Sequence, residues 1–230
     1  MITSSDISAR VKEVQKRIAE AAVRSKRQPS EITILAVTKT QPVEVLRAAH
    51  EAGLRDFGEN RVQEALEKIG ALPTDIRWHL IGQLQTNKIN KILHQFVLVH
   101  SVDSLQLAEA LSARLGNGNQ DILLEVNSSG EPSKAGVSPM EAIETAEKIE
   151  RLPGLKMRGL MTVGPLTEDP GKQREAFKIL KGLFDSARTK SWVPKNFSIL
   201  SMGMSGDFET AIEEGSTLVR VGTAVFGPRA

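Results

Sequence analysis

The chain has 230 residues, with 30 lysines and arginines against 28 aspartates and glutamates and no cysteine. That length suits one large α/β domain or two small ones, and a net charge of +2 gives no reason to expect nucleic acid or an anionic membrane as partner. Without cysteine there is no disulfide, thiolate metal site or cysteine nucleophile. The opening stretch MITSSDISARVKEVQKR is polar and lacks the apolar core of a secretory signal. No apolar run approaches the roughly 18 residues of a membrane span, so a cytoplasmic protein is expected.

Taken in order, Ser4-Ser5-Asp6 offers helix caps, and Ile7, Val11, Val14, Ile18 and Ala22 recur at three- and four-residue steps. This predicts an amphipathic helix ending near Lys26 or Arg27. ITILAVTKT (32–40) is a short β-branched run that reads as a strand buried on both faces, with Pro42 opening the next helix. From there the patterns alternate. Helices are predicted over 42–52, 61–69, 87–96, 104–115, 138–152, 171–189 and 207–214. Strands are predicted over 54–60, 76–82, 97–102, 121–127, 155–163, 197–202 and 218–221. Ser138-Pro139-Met140-Glu141 has capping-box spacing, and the tail GTAVFG has room for one more helical turn. Eight strands in strict βα alternation demand parallel pairing and right-handed crossovers. They point to a TIM-type (β/α)8 barrel, one domain over 1–230, with 1–30 as an added helix packed on it. An open doubly wound sheet is the runner-up; no Gly-x-Gly-x-x-Gly turn follows the first strand to support it.

In such a barrel the chemistry lies on the loops after the strands. Lys39 stands there, where an apolar wall can lower the cost of losing its proton and free the amine for attack on an aldehyde. The plainer alternative is a stem lying on that wall with its ammonium in water. SMGMSGD (201–207) and VGTAVFG (221–227) are small, glycine-bearing turns in the seventh and eighth positions, where barrels often bind phosphate through backbone N–H groups. Arg220 interrupts an apolar strand and needs a partner inside the barrel, either a carboxylate such as Glu125 or a ligand atom. His79 and His100 are candidates for acid–base work or for structural hydrogen bonds, and their spacing supports no metal site. Asn60 either contacts a ligand or caps a helix.

AVTKT, FGENRVQEA, WHLIGQLQTNK, VHSVDS, LLEVN, GLMTVG, LSMGMSGDFETAI and VRVGTAVFG, as an ordered set from about Ile34 to Gly227, resemble the pyridoxal 5′-phosphate (PLP) homeostasis proteins. The resemblance implies a fold-type-III PLP barrel similar to the N-terminal domain of alanine racemase, with no second domain. It implies Lys39 as the Schiff-base lysine and a phosphate held by the loops containing Ser201, Met202, Gly203, Ser205, Gly222 and Thr223. It further implies Arg220 beside the pyridine nitrogen, and Asn60 and His79 around the cofactor. An arginine there only donates hydrogen bonds and favours an unprotonated ring nitrogen, a weaker electron sink. Racemases of this kind also use a tyrosine from a second domain, and this chain has no tyrosine. The expectation is a monomeric PLP carrier acting in vitamin B6 and amino/keto-acid homeostasis without efficient turnover, with PLP-dependent apoenzymes as prospective recipients. The alternatives are a single-domain amino-acid racemase and a Schiff-base aldolase that uses no PLP.

Overall fold

The first helix shows how the chain closes on itself. In the computed structural model, which describes residues 3–228, α1 (Ser4–Arg24) begins at Thr3, whose hydroxyl accepts from the Asp6 amide while Asp6 accepts from the Thr3 amide. This reciprocal cap stands one residue earlier than the Ser4-Ser5-Asp6 capping expected. Ile7, Val11, Val14, Ile18, Ala21 and Ala22 form its buried face. That face does not enter the barrel; it lies outside, against the helices that flank the first and last strands.

Those strands are β1 (Thr33–Val37), β2 (Asp56–Glu59), β3 (Arg77–Leu80), β4 (Leu98–Val102), β5 (Gln120–Glu125), β6 (Leu155–Met161), β7 (Ile199–Met204) and β8 (Leu218–Val221). All neighbours pair in parallel, and β8 returns to β1, so the sheet is closed and no edge is left for another chain to pair with. Between them run α2 (Val43–Glu51), α3 (Val62–Ile69), α4 (Ile89–Ile92), α5 (Leu105–Leu115), α6 (Ala142–Glu150), α7 (Pro170–Arg188) and α8 (Phe208–Glu213). A last turn, α9 (Thr223–Phe226), follows β8. The fold is the expected (β/α)8 barrel with an added N-terminal helix.

The strands are shorter than their apolar runs because the run includes the turn that follows. β1 ends at Val37, so Lys39 sits two residues past it, in a turn where Thr40 takes the left-handed φ of 65°. Pro42 is the N-cap of α2 rather than its first residue. The 87–96 helix reduces to a 3-10 turn and α4, because Leu93 turns extended and His94 has φ 66°. Ser138–Glu141 makes a hydrogen-bonded turn, and α6 starts only at Ala142. Ser104 does cap α5, accepting from the Leu107 amide.

Side chains on a strand alternate between faces. Leu98, Leu123, Met161 and Ile199 cluster apart from the main core, which lies between strands and helices. Two residues further along three of these strands stand His100, Glu125 and Ser201, buried on the same inner face. β7 carries a bulge: its register against β8 runs Ser201 to Leu218 and then Met204 to Arg220, three residues against two. Gly203 sits in it at φ 91°, and a Cβ there would come within 2.5 Å of the Ala211 Cβ on α8. Gly203→Ala is expected to cost about 2 kcal/mol and lower the melting temperature by roughly 5 °C, read by thermal unfolding.

Candidate functional site

The turn that carries Lys39 is clamped from both sides by one buried ion cluster. Lys68, reaching up from α3, donates to the Thr38 carbonyl (2.9 Å), to Glu59 (2.7 Å) and to Glu64 (2.6 Å). The Thr38 hydroxyl donates to the same Glu59 oxygen at 2.6 Å, and the Thr40 amide donates to Glu64 at 2.5 Å. The residues before and after Lys39 are thus fixed, and Lys39 itself is half-buried. Burial pushes the Glu59 carboxyl up, with Lys68 and Thr38 opposing. For Glu64 burial acts the same way, but hydrogen bonds from Lys68 and the Thr40 amide outweigh it and leave the carboxyl below its usual range.

Lys39 opens onto a pocket of about 400 Å³ at the carboxyl ends of the strands. Val37, Ile81, Val163 and Met204 form its apolar walls; Asn60, Ser205, Gly206, Arg220, Gly222 and Thr223 supply the polar ones. The Asn60 Oδ1 is buried and has no hydrogen-bond partner. Its place is set by Gly82, where a Cβ would lie 2.2 Å from the Asn60 carbonyl oxygen. The amides of Gly222 and Ala224 converge on the Ser205 hydroxyl oxygen, at 3.0 and 3.2 Å. An oxygen therefore already rests where two N–H groups point, as an anion's oxygen would.

Arg220 is 5% exposed. Its Nη1 donates to the Ser201 carbonyl (2.9 Å) and hydroxyl (2.7 Å), and its Nη2 donates to the Thr162 carbonyl (2.7 Å). These acceptors, rather than an ion pair with Glu125, hold it. Burial draws the guanidinium down to about 10, while the charges of Glu125 and Asp207 oppose that.

The family profile of the alanine racemase N-terminal domain matches residues 11–230. A pyridoxal phosphate homeostasis protein of Aquifex aeolicus is 44% identical over 223 residues, 96% of this chain and 97% of that one. One of Pseudomonas aeruginosa is 43% identical over 228 residues, 98% and 96% of the two chains. The chain belongs to this family. Among solved structures, PipY of Synechococcus elongatus with PLP bound superposes with a TM-score of 0.78 at 34% identity, covering 93% of this chain and all of that one.

Of the residues that family resemblance singled out, Lys39, Asn60, Ser205, Arg220, Gly222 and Thr223 are brought together on the pocket. His79, Ser201, Met202 and Gly203 are not among its lining residues. His79 and Ser201 point into the barrel interior and bond other side chains there. Met202 is fully buried in the outer core, and Gly203 meets α8. Met204 and Gly206, past the bulge, line the pocket instead. Lys68 carries no sequence signal of this role, since Glu64 and Lys68, four apart on a helix, have the spacing of an ordinary surface pair. Among the described residues no cluster of His, Asp and Glu could hold a metal ion, and no helix is long and apolar enough to cross a membrane.

Two measurements follow from these charges. Lys68→Met leaves the buried Glu59 and the half-buried Glu64 without their cation and should cost roughly 3 kcal/mol in urea unfolding, with Glu59→Gln in the same chain restoring part of it. Glu125 is pushed up to about 7 by burial, with Arg220 opposing and Asp103 adding. The folded state therefore holds this proton to about pH 7, while the unfolded chain releases it near 4.5. Between those values the native state binds more protons, so the contribution of Glu125 to stability falls as pH rises. Glu125→Gln should gain on the wild type between pH 5 and pH 8, by on the order of 3 kcal/mol at most.

Proposed function

We propose that this chain binds pyridoxal 5′-phosphate in the 400 Å³ pocket through Lys39 and acts as a monomeric cytoplasmic carrier of the cofactor rather than as an efficient enzyme. The observation that carries this reading is the meeting, in one pocket, of a clamped lysine, a buried arginine and two convergent amides. PipY, whose structure has PLP bound, is a 34% identical precedent for a barrel of this family holding that ligand.

The residues present fit the group. When bound, PLP supplies an aldehyde that a lysine amine can capture and a ring that accepts electrons. Lys39 is the amine. The amides of Gly222 and Ala224, with Ser205 and Thr223, suit the phosphate, since backbone N–H groups recognise it at close range. The unpartnered Asn60 Oδ1 is an acceptor waiting for a donor. Arg220 has five N–H donors and no acceptor, so it cannot hold a proton on a ring nitrogen.

Support for the absence of efficient turnover comes from what lines the pocket. Its titratable side chains, among the described residues, are Lys39 and Arg220. No tyrosine exists in the chain to serve as an acid–base partner across from Lys39. The role that remains is to keep a reactive aldehyde bound and to release it to PLP-dependent apoenzymes.

Adding PLP and reducing with borohydride should leave a pyridoxyl group on Lys39, found by peptide mapping, and Lys39→Ala should leave none there. A protein that stays colourless and unlabelled after PLP is added would overturn the reading and favour a cofactor-free aldolase. Robust Lys39-dependent racemase or transaminase turnover would instead overturn the carrier role.

A further inference from the structure

The barrel interior holds polar groups that the pocket does not use. Below Arg220 they stand in line. The Arg220 Nη1 is 2.7 Å from the Ser201 hydroxyl, which is 3.2 Å from the His100 Nδ1. The His100 Nε2 is 3.0 Å from the His79 Nδ1, and the His79 Nε2 is 3.0 Å from the Asp56 Oδ1. All five residues are at most 6% exposed. Asp56 lies at the start of β2, at the floor of the barrel, where Arg77 pairs with it.

The two ends decide the direction of every bond between them. A guanidinium only donates, so the Ser201 oxygen accepts from Arg220. Ser201 then has its own proton to place, and His100 Nδ1 is the other partner of its hydroxyl; a buried hydroxyl left unsatisfied is costly. A lone pair at Nδ1 puts the His100 proton on Nε2, aimed at His79 Nδ1. His79 in turn carries its proton on Nε2, facing Asp56. Starting from the floor gives the same answer. Burial pushes the Asp56 carboxyl up, but hydrogen bonds from His79 and Arg77 more than reverse it and keep the group ionised. An ionised carboxylate only accepts, so His79 Nε2 must donate. Burial, with the charge of Arg220, also holds His100 well below the ordinary imidazole range.

We propose that Asp56, His79, His100 and Ser201 form a one-way hydrogen-bond chain that positions Arg220, so that the guanidinium presents to the pocket only the donors the chain leaves over. Two Nη1 bonds go to Ser201 and one Nη2 bond goes to Thr162. Nε–H and one Nη2–H remain. Glu125 and Asp207 attract the same guanidinium without bonding it. Cutting the chain at Ser201 lets it turn towards them. These four are positioning residues that act through Arg220. The chain's geometry stands without the proposed function; only the ligand it serves rests on that reading.

The test begins on 15N-labelled protein without ligand. Long-range proton–nitrogen correlation of the imidazoles at pH 7 should show His79 and His100 both neutral and both protonated on Nε2, assigned by comparison with single His variants. An imidazolium, or a proton on Nδ1 of either ring, would overturn the chain. With PLP added, Ser201→Ala should bind about tenfold more weakly, the scale of one hydrogen bond to a charged group, with a displaced visible absorption band. Ser201→Thr, which keeps the hydroxyl, should restore both. Unchanged affinity and spectrum in the alanine variant would sink the positioning role. If the wild type takes up no PLP, or the alanine variant does not fold, the imidazole tautomers alone decide. Failure of the PLP reading is in this way distinguishable from failure of the chain.

Discussion

A guanidinium sealed inside a parallel barrel must find its acceptors on several strands at once. Arg220 on β8 does so through the Ser201 carbonyl and hydroxyl on β7 and the Thr162 carbonyl just past β6. An unpaired buried charge would cost several kcal/mol, so these strands have little freedom in register. A slip by one residue would turn the arginine outward and bring a valine in. The polar half of the interior is built around that charge. Elsewhere the inner face is filled by Leu98, Leu123, Met161 and Ile199.

A second buried cation does a different task on the other side of the pocket. Lys68 touches no ligand wall; it joins two carboxylates and a carbonyl that bracket Lys39. A buried salt bridge is weak evidence for stability, because desolvation offsets most of its attraction. Its contribution here is geometric. It holds the 38–40 turn in a conformation that includes a threonine with left-handed φ, which an unsupported chain would leave.

Much of this was legible in the sequence because barrel geometry ties function to position. Lys39, Arg220, Gly222 and Thr223 stand at the ends of strands, and strand ends follow from period and alternation. What escaped depends on facts without local signature. His79 and Ser201 stand within β3 and β7 rather than past them, which face they take depends on strand register, and the bulge at Gly203 shifts the pocket-facing residues to Met204–Gly206. The break after Ile92 has no glycine or proline to announce it. The partner of Lys68, Glu59, ends β2, and only the packing of α3 back onto that strand brings it within 2.7 Å and buries both.

The packing of α1 has a kinetic side. Its apolar face is covered by α2, α8 and α9, with Arg17 bonded to Glu209 across 192 residues of chain and stacked over Phe208 at 4.6 Å. During synthesis, at roughly 5–20 residues per second, α1 waits about 10–40 seconds for α8 and α9. For that interval Ile7, Val11, Val14 and Ile18 are exposed to water or to other proteins. The same clasp that seals the finished barrel leaves α1 in need of protection while the chain is being made.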